Sequence, residues 1–157
     1  MSEINKQTIE EVLRERGKYI GPTVGTSMLP MLKHRRDTIV VEAKTQRLKP
    51  LDVALYKRGT AYILHRVLEV RENDYIIRGD NCYYDEIVPE ECVIGVLTEF
   101  FRNKKHYHCT DKRYLKYVNK RVKNYPRRRF FQNLREKTIT ALKKTVKRIL
   151  HLEKRRK

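Results

Sequence analysis

Ser27 and His65 are side chains of the types that make a nucleophile and its base. A serine hydroxyl attacks a carbonyl only when a base within hydrogen-bond reach takes its proton, and neutral imidazole titrates in the useful range. Ser27 lies in Gly25-Thr26-Ser27-Met28-Leu29-Pro30. There Gly25 permits a tight turn, and Pro30 fixes its own φ while keeping Leu29 extended, so the hydroxyl is displayed rather than lost in a helix. Taken alone, Ser-x-x-Pro is also the composition of an ordinary turn. A third ingredient stands downstream in Gly79-Asp80-Asn81-Cys82-Tyr83-Tyr84-Asp85-Glu86. Its three carboxylates suit a solvated loop, a metal cradle or the acid that orients an imidazole. A calcium loop fits worst, because the alternating ligand spacing and central glycine are missing.

These groups need rigid elements to bring them together. Residues 6 to 16 read as a short helix with Ile9, Val12 and Leu13 on one face, stopped by Gly17. Strands follow at Tyr19 to Val24, Thr38 to Ala43, Val53 to Lys57, Tyr62 to Val70, Tyr75 to Arg78, and within Val88 to Thr98. Arg58-Gly59 is a hairpin turn, and His34 reads as a solvated turn residue among charged neighbours. Side chains alternate along a strand, so His65 shares a side with Ile63 and Val67 and opposes Leu64 and Arg66. An imidazole on an apolar face must be held by a partner, which a backbone carbonyl could supply as well as a catalytic acid. The expected fold is mainly β: a small twisted sheet or partly closed barrel with one helix in front.

Charge divides the chain. Residues 1 to 101 carry 15 Lys/Arg against 16 Asp/Glu, a net of −1, whereas residues 102 to 157 carry 22 against 3, a net of +19. The expected organisation is therefore a near-neutral domain over 1–101 and a basic helical extension over 102–157. In that extension Tyr114, Leu115, Tyr117, Val118 and Val122 recur at near-helical spacing, and Pro126 with Arg127-Arg128-Arg129 interrupts the run. A second helix from about Phe130 to Leu152 carries Leu134, Ile139, Leu142, Val146, Ile149 and Leu150 within a sector of roughly 160°. Such a cationic amphipathic helix suits an anionic membrane surface, a partner groove, nucleic acid, or packing on its own domain. His106-Tyr107-His108-Cys109 offers zinc-type ligands, but no fourth ligand stands at finger spacing, so no metal or other cofactor is expected. Cys82, Cys92 and Cys109 form no even disulfide framework, which points to a reducing, cytoplasmic setting. Met1 to Glu15 lacks the apolar core of a signal peptide, and no run is long enough to cross a bilayer.

With these pieces in order, residues 17 to 98 resemble the serine peptidases grouped around signal peptidase I and the self-cleaving LexA-type repressors. Ser27-Met28-Leu29-Pro30 is similar to that family's serine box, and Asp52-Val53-Ala54-Leu55-Tyr56 to its Gly-Asp strand. Leu64-His65-Arg66-Val67 resembles the box of the branch in which histidine replaces lysine as base. Arg78-Gly79-Asp80-Asn81 with Asp85 resembles the final box, and Val93-Ile94-Gly95-Val96 the strand after it. The basic extension lies outside the resemblance. Two departures stand out: the anchor of the membrane enzymes has no counterpart here, and Gly25 replaces a serine that helps hold the oxyanion in many relatives.

The resemblance implies a serine endopeptidase that cleaves a peptide or leader sequence bound as an extended strand. In it Ser27 is the nucleophile and His65 the general base, then the acid to the leaving amine. Asp85 is the favoured orienting acid, with Asp80 assisting or shaping the loop and Glu86 as a third candidate. The oxyanion falls to the Ser27 N–H, helped by other backbone N–H groups or Thr26. Two other functions fit the same stretch: a nucleic-acid-binding regulator of the LexA type, or a non-catalytic peptide-binding module. Against the regulator, residues 1 to 20 are too few for a helix-turn-helix domain.

Overall fold

The computed structural model describes residues 7–154, with the side chains at 141, 145 and 148–154 left out, so the expected apolar positions Ile149, Leu150 and Leu152 lie outside the described side chains. The opening helix α1 spans Ile9–Arg16. Thr8 caps it reciprocally: its hydroxyl accepts the Glu11 N–H and the Glu11 carboxylate accepts the Thr8 N–H. Gly17, at φ 67°, ends it in the left-handed conformation that glycine adopts at little cost.

Eight strands follow: β1 (Lys18–Pro22), β2 (Thr38–Ala43), β3 (Val53–Arg58), β4 (Ala61–Val70), β5 (Asp74–Arg78), β6 (Glu86–Pro89), β7 (Val93–Arg102) and β8 (Lys105–His108). They form one antiparallel sheet in the order β1-β2-β7-β3-β4-β5-β6, with β8 added on β7. The expected closing strand is therefore two strands, separated by a single 3₁₀ turn at Glu90–Cys92. The sheet curls because long strands serve two partners in succession. β4 pairs with β3 through Ala61 to Arg66 and with β5 through Arg66 to Val70, and register shifts interrupt β2–β7, β3–β7 and β4–β5. Each extra residue increases local twist. The β3–β4 hairpin turns on Gly59, whose φ of 59° at the first central position is what a type II′ turn requires. The fold is thus mainly β, a curled half-barrel with a short leading helix and C-terminal helices, as expected.

Burial explains the runs that do not alternate. Val53, Ala54, Leu55 and Tyr56 are all buried, so β3 is covered on both faces. One cluster gathers Ala54, Tyr56, Val67, Tyr75, Ile77 and Val88. Arg66, on the opposite side of β4 from Val67, is 1% exposed. Its five N–H donors all have acceptors. Nε and Nη2 donate to the two oxygens of Asp80 at 2.8 Å each, Nη1 to the Leu51 carbonyl and Tyr114 hydroxyl, and Nη2 also to Met31 Sδ. Burial alone would lower the guanidinium pKa, but the hydrogen bonds and charge of Asp80 outweigh it and drive it up. Leu51 itself sits at φ 79° in a turn after Pro50, a position that favours glycine. Hydrogen bonds on its N–H and its carbonyl hold it there.

The C-terminal organisation departs from the expected boundary at 101/102. Helix α2 spans Lys112–Lys123 and α3 spans Tyr125–Lys154, and two compact units separate after Val118. The rest of β7, β8 and the start of α2 thus belong with the sheet: Tyr114 and Val118 are buried, and Tyr117 donates to Asp80. The net charge had marked the composition of this segment, not its packing. Pro126 does not break a helix; it lies in the first turn of α3, where its missing N–H costs nothing. Within α3, Phe130, Phe131, Leu134, Ile139, Leu142 and Val146 are exposed.

Removing one partner from a buried ion pair strands the other's charge. Asp80→Ala is expected to cost about 3–5 kcal/mol, measured as a fall in the urea midpoint at unchanged slope. An unchanged midpoint would show that Arg66 reaches solvent or another acid.

Candidate functional site

Ser27 sits in a loop closed at its neck. Thr23 N–H donates to the Asp37 carbonyl, the single hydroxyl proton of Thr23 is shared between the Lys33 and Asp37 carbonyls, and Arg35 N–H returns to the Thr23 carbonyl. Asp37, 1% exposed, accepts the Lys33 N–H and both Nε and Nη2 of Arg36. Burial pushes its carboxyl up and these bonds, Arg36 foremost, pull it below its usual range, so it stays charged. Met28, Met31 and Leu32 anchor the loop interior, and Arg102 at the end of β7 donates to the Pro30 and Met31 carbonyls. Gly25 has φ 95° and donates its N–H to His34 Nδ1 at 2.9 Å. His34 is therefore a bracing residue for this turn, which its charged neighbours in sequence conceal.

A second loop, after β5, presses on the first. Asn81 N–H donates to the Ser27 carbonyl at 2.7 Å, and Asn81 Nδ2 to the Thr26 carbonyl. Gly79 makes this approach possible. A Cβ there would fall 2.8 Å from the Ser27 carbonyl oxygen, 2.9 Å from His65 Nε2 and 2.8 Å from Cys82 Sγ. The Ser27 backbone and the Nε2 edge of the imidazole thus flank one glycine. Ser27 and His65 also line one cleft of about 460 Å³, floored by Leu32, Ile39 and Leu55. Among the described residues no hydrogen bond joins Ser27 Oγ to His65, and none takes the Ser27 N–H.

The far side of the imidazole is held. His65 is 4% exposed, and its Nδ1 lies 3.2 Å from Tyr56 Oη and 3.3 Å from Glu86 Oε1. Tyr56 Oη donates to Glu86 Oε2 at 2.9 Å, and Arg58 Nη1 reaches the same oxygen at 2.8 Å. Burial and Glu86 push the Tyr56 phenol up, so it keeps its proton. Its single proton goes to the carboxylate. The tautomer assigned from this network puts a proton on Nδ1, donating toward Glu86 Oε1 and Tyr56 Oη, and leaves Nε2 with a lone pair on the Ser27 side. Burial lowers the His65 pKa below its ordinary 6.5, with Glu86 opposing, so the neutral ring persists into mild acid.

Of the expected residues, Ser27, His65 and the 79–86 loop come together, but the acids take other parts. Asp85, the favoured orienting acid, does not face His65: its carboxylate pairs with Arg78 at 3.0 Å and is nearly half exposed. Glu86 stands there instead, because β6 begins at Glu86 and successive strand side chains diverge. Asp80 is occupied by Arg66 and Tyr117, so it shapes the loop from below rather than assisting the imidazole directly. Tyr56 and Gly79 escaped the sequence reading as site residues. The apolar run Ile87-Val88-Pro89 was the available sign that the strand reaches back to Glu86.

No known protein family matches the chain, and no curated protein matches it.

Two outcomes follow. Glu86→Gln removes the charge that favours the imidazolium, so the His65 pKa falls further in an NMR titration, whereas Asp85→Asn leaves it in place; an upward shift in Glu86→Gln would overturn the assignment. Gly79→Ala forces Ser27 and His65 apart, seen as changed His65 ring shifts in a chain that still folds.

Proposed function

We propose that the protein is a serine endopeptidase of the signal peptidase and LexA type, cleaving a peptide or leader segment. The observation that carries this reading is that Ser27 and His65 line one cleft, with the Ser27 carbonyl and His65 Nε2 both against Gly79 and Nδ1 held beside Glu86. Ser27 Oγ attacks the scissile carbonyl as Nε2 takes its proton. The developing imidazolium is stabilised by Glu86, and the proton passes to the leaving amine. The Ser27 N–H is the first donor for the oxyanion, a contribution worth several kcal/mol where donors are preorganised.

Substrate binding follows from the walls of the cleft. Among the described residues β1 pairs only with β2, and Tyr19, Pro22 and Val24 line the cleft together with Tyr62 and Leu64. An extended peptide laid there adds a strand to an open edge, its alternate side chains entering the apolar floor. The family resemblance adds a preference for small side chains before the cut.

Peptides containing Ala-x-Ala before a candidate cut are the substrates to test. Ser27→Ala and His65→Ala should each lower cleavage by several orders of magnitude. The acid limb of the pH–rate profile should have its midpoint below 6.5, because the base is the neutral ring and burial depresses its pKa. Undiminished cleavage by Ser27→Ala would overturn the proposal. Salt-sensitive DNA binding without cleavage would point to the regulator instead.

A further inference from the structure

The β7–β8 hairpin carries a group of side chains that the serine chemistry does not use. Its register sets Glu99 opposite His108 and Phe101 opposite His106. Residues two apart on a strand share a face, so Glu99, Phe101, His106 and His108 project together. The contacts agree: His106 Nε2 lies 2.7 Å from Glu99 Oε2, and the His106 and His108 rings are 4.3 Å apart. One ligand atom from each of Glu99, His106 and His108 lies within 4.8 Å of the others.

We propose that Glu99, His106 and His108 form a binding site for a divalent transition-metal ion of the zinc class. Two imidazole nitrogens and one carboxylate oxygen suit Zn²⁺, Co²⁺, Ni²⁺ or Cu²⁺, whereas Mg²⁺ and Ca²⁺ take all-oxygen sets. An ion at about 2.0–2.2 Å from each donor spaces tetrahedral ligands roughly 3.3–3.5 Å apart. His106 and His108 are exposed on the outer strand β8, where small side-chain rotations close that difference on Glu99. Three protein ligands leave the fourth position open to water.

The surroundings hold the donors in place. Phe101 stacks on His106 at 4.3 Å with the planes 5° apart, and on the other face Tyr107 stacks on Phe100 at 4.9 Å. Lys18 Nζ lies 3.9 Å from Glu99 Oε1, engaging the oxygen that does not face His106. Cys109, the sulfur that the sequence offered beside these histidines, is not part of the site. Its side chain is instead hydrogen-bonded with Tyr114. Glu99, seven residues before His106 and set opposite His108 by the hairpin, is the third donor instead.

An ion here ties β8 to β7 just beyond Arg102, which grips the Pro30 and Met31 carbonyls. Binding should therefore stabilise the folded chain.

Calorimetry on the full, untagged chain with Zn²⁺ tests the site. One ion per chain and a raised unfolding temperature are expected. Affinity should fall by more than the ~10–100-fold typical of outer-shell changes in His106→Ala/His108→Ala. Glu99→Gln should weaken it less, and His34→Ala not at all. Co²⁺ on the wild-type chain should give the visible bands of low-coordinate nitrogen and oxygen ligation without a thiolate charge-transfer band. No Zn²⁺ binding, full binding by the double histidine variant, or a thiolate band would overturn the proposal. The Co²⁺ spectrum decides the matter even where a variant fails to fold.

Discussion

The Arg66–Asp80 pair is the interaction on which the candidate site depends. Two charges withdrawn from water cost several kcal/mol each before their attraction is counted. Such a pair persists only when every donor is satisfied, and here the guanidinium has an acceptor for each N–H. The reward is positional. Asp80 is fixed between Gly79, which admits the Ser27 backbone and the His65 ring, and Asn81, which binds the Ser27 carbonyl. Because Arg66 follows His65 on β4 and projects to its other side, one strand presents the imidazole and anchors the loop that meets it.

That arrangement also separates the acids by role. Asp80 neutralises a buried cation, Asp85 meets Arg78 at the surface, and Glu86 shares an imidazole and a phenol in the cleft. Asp85 and Glu86 differ by one position in the chain, yet the start of β6 sends them to different partners. Chemical type alone does not distinguish them; strand phase does.

The sheet, the leading helix and the phase of His65 were legible because each rests on local signals: β-branched runs, Gly17 after an amphipathic turn, and strict alternation along β4. Gly25 and Gly79 were visible as glycines, but only Gly25 announced a turn, since the need at Gly79 comes from two loops distant in sequence. Arg66 was hidden because an arginine in a strand reads as solvent-facing until its partners are known. The family pattern favours Asp85, whereas the carboxylate beside His65 is that of Glu86, the third candidate, because the strand begins at Glu86 rather than at the Val88 that the sequence pattern picks out. The extension misled through charge: lysines and arginines around Tyr114 and Tyr117 masked two tyrosines that reach the buried pair.

Those tyrosines have a consequence for how the molecule comes into being. Tyr114 lies 48 residues after Arg66, and Tyr117 lies 37 after Asp80. A nascent polypeptide leaving the ribosome therefore exposes its serine, imidazole and glutamate well before the groups that complete the ionic anchor beneath them. Completion of the cleft's foundation waits for Tyr114 and Tyr117, and a chain released before them would carry Ser27, His65 and Glu86 above an ion pair that lacks two of its hydrogen-bond partners.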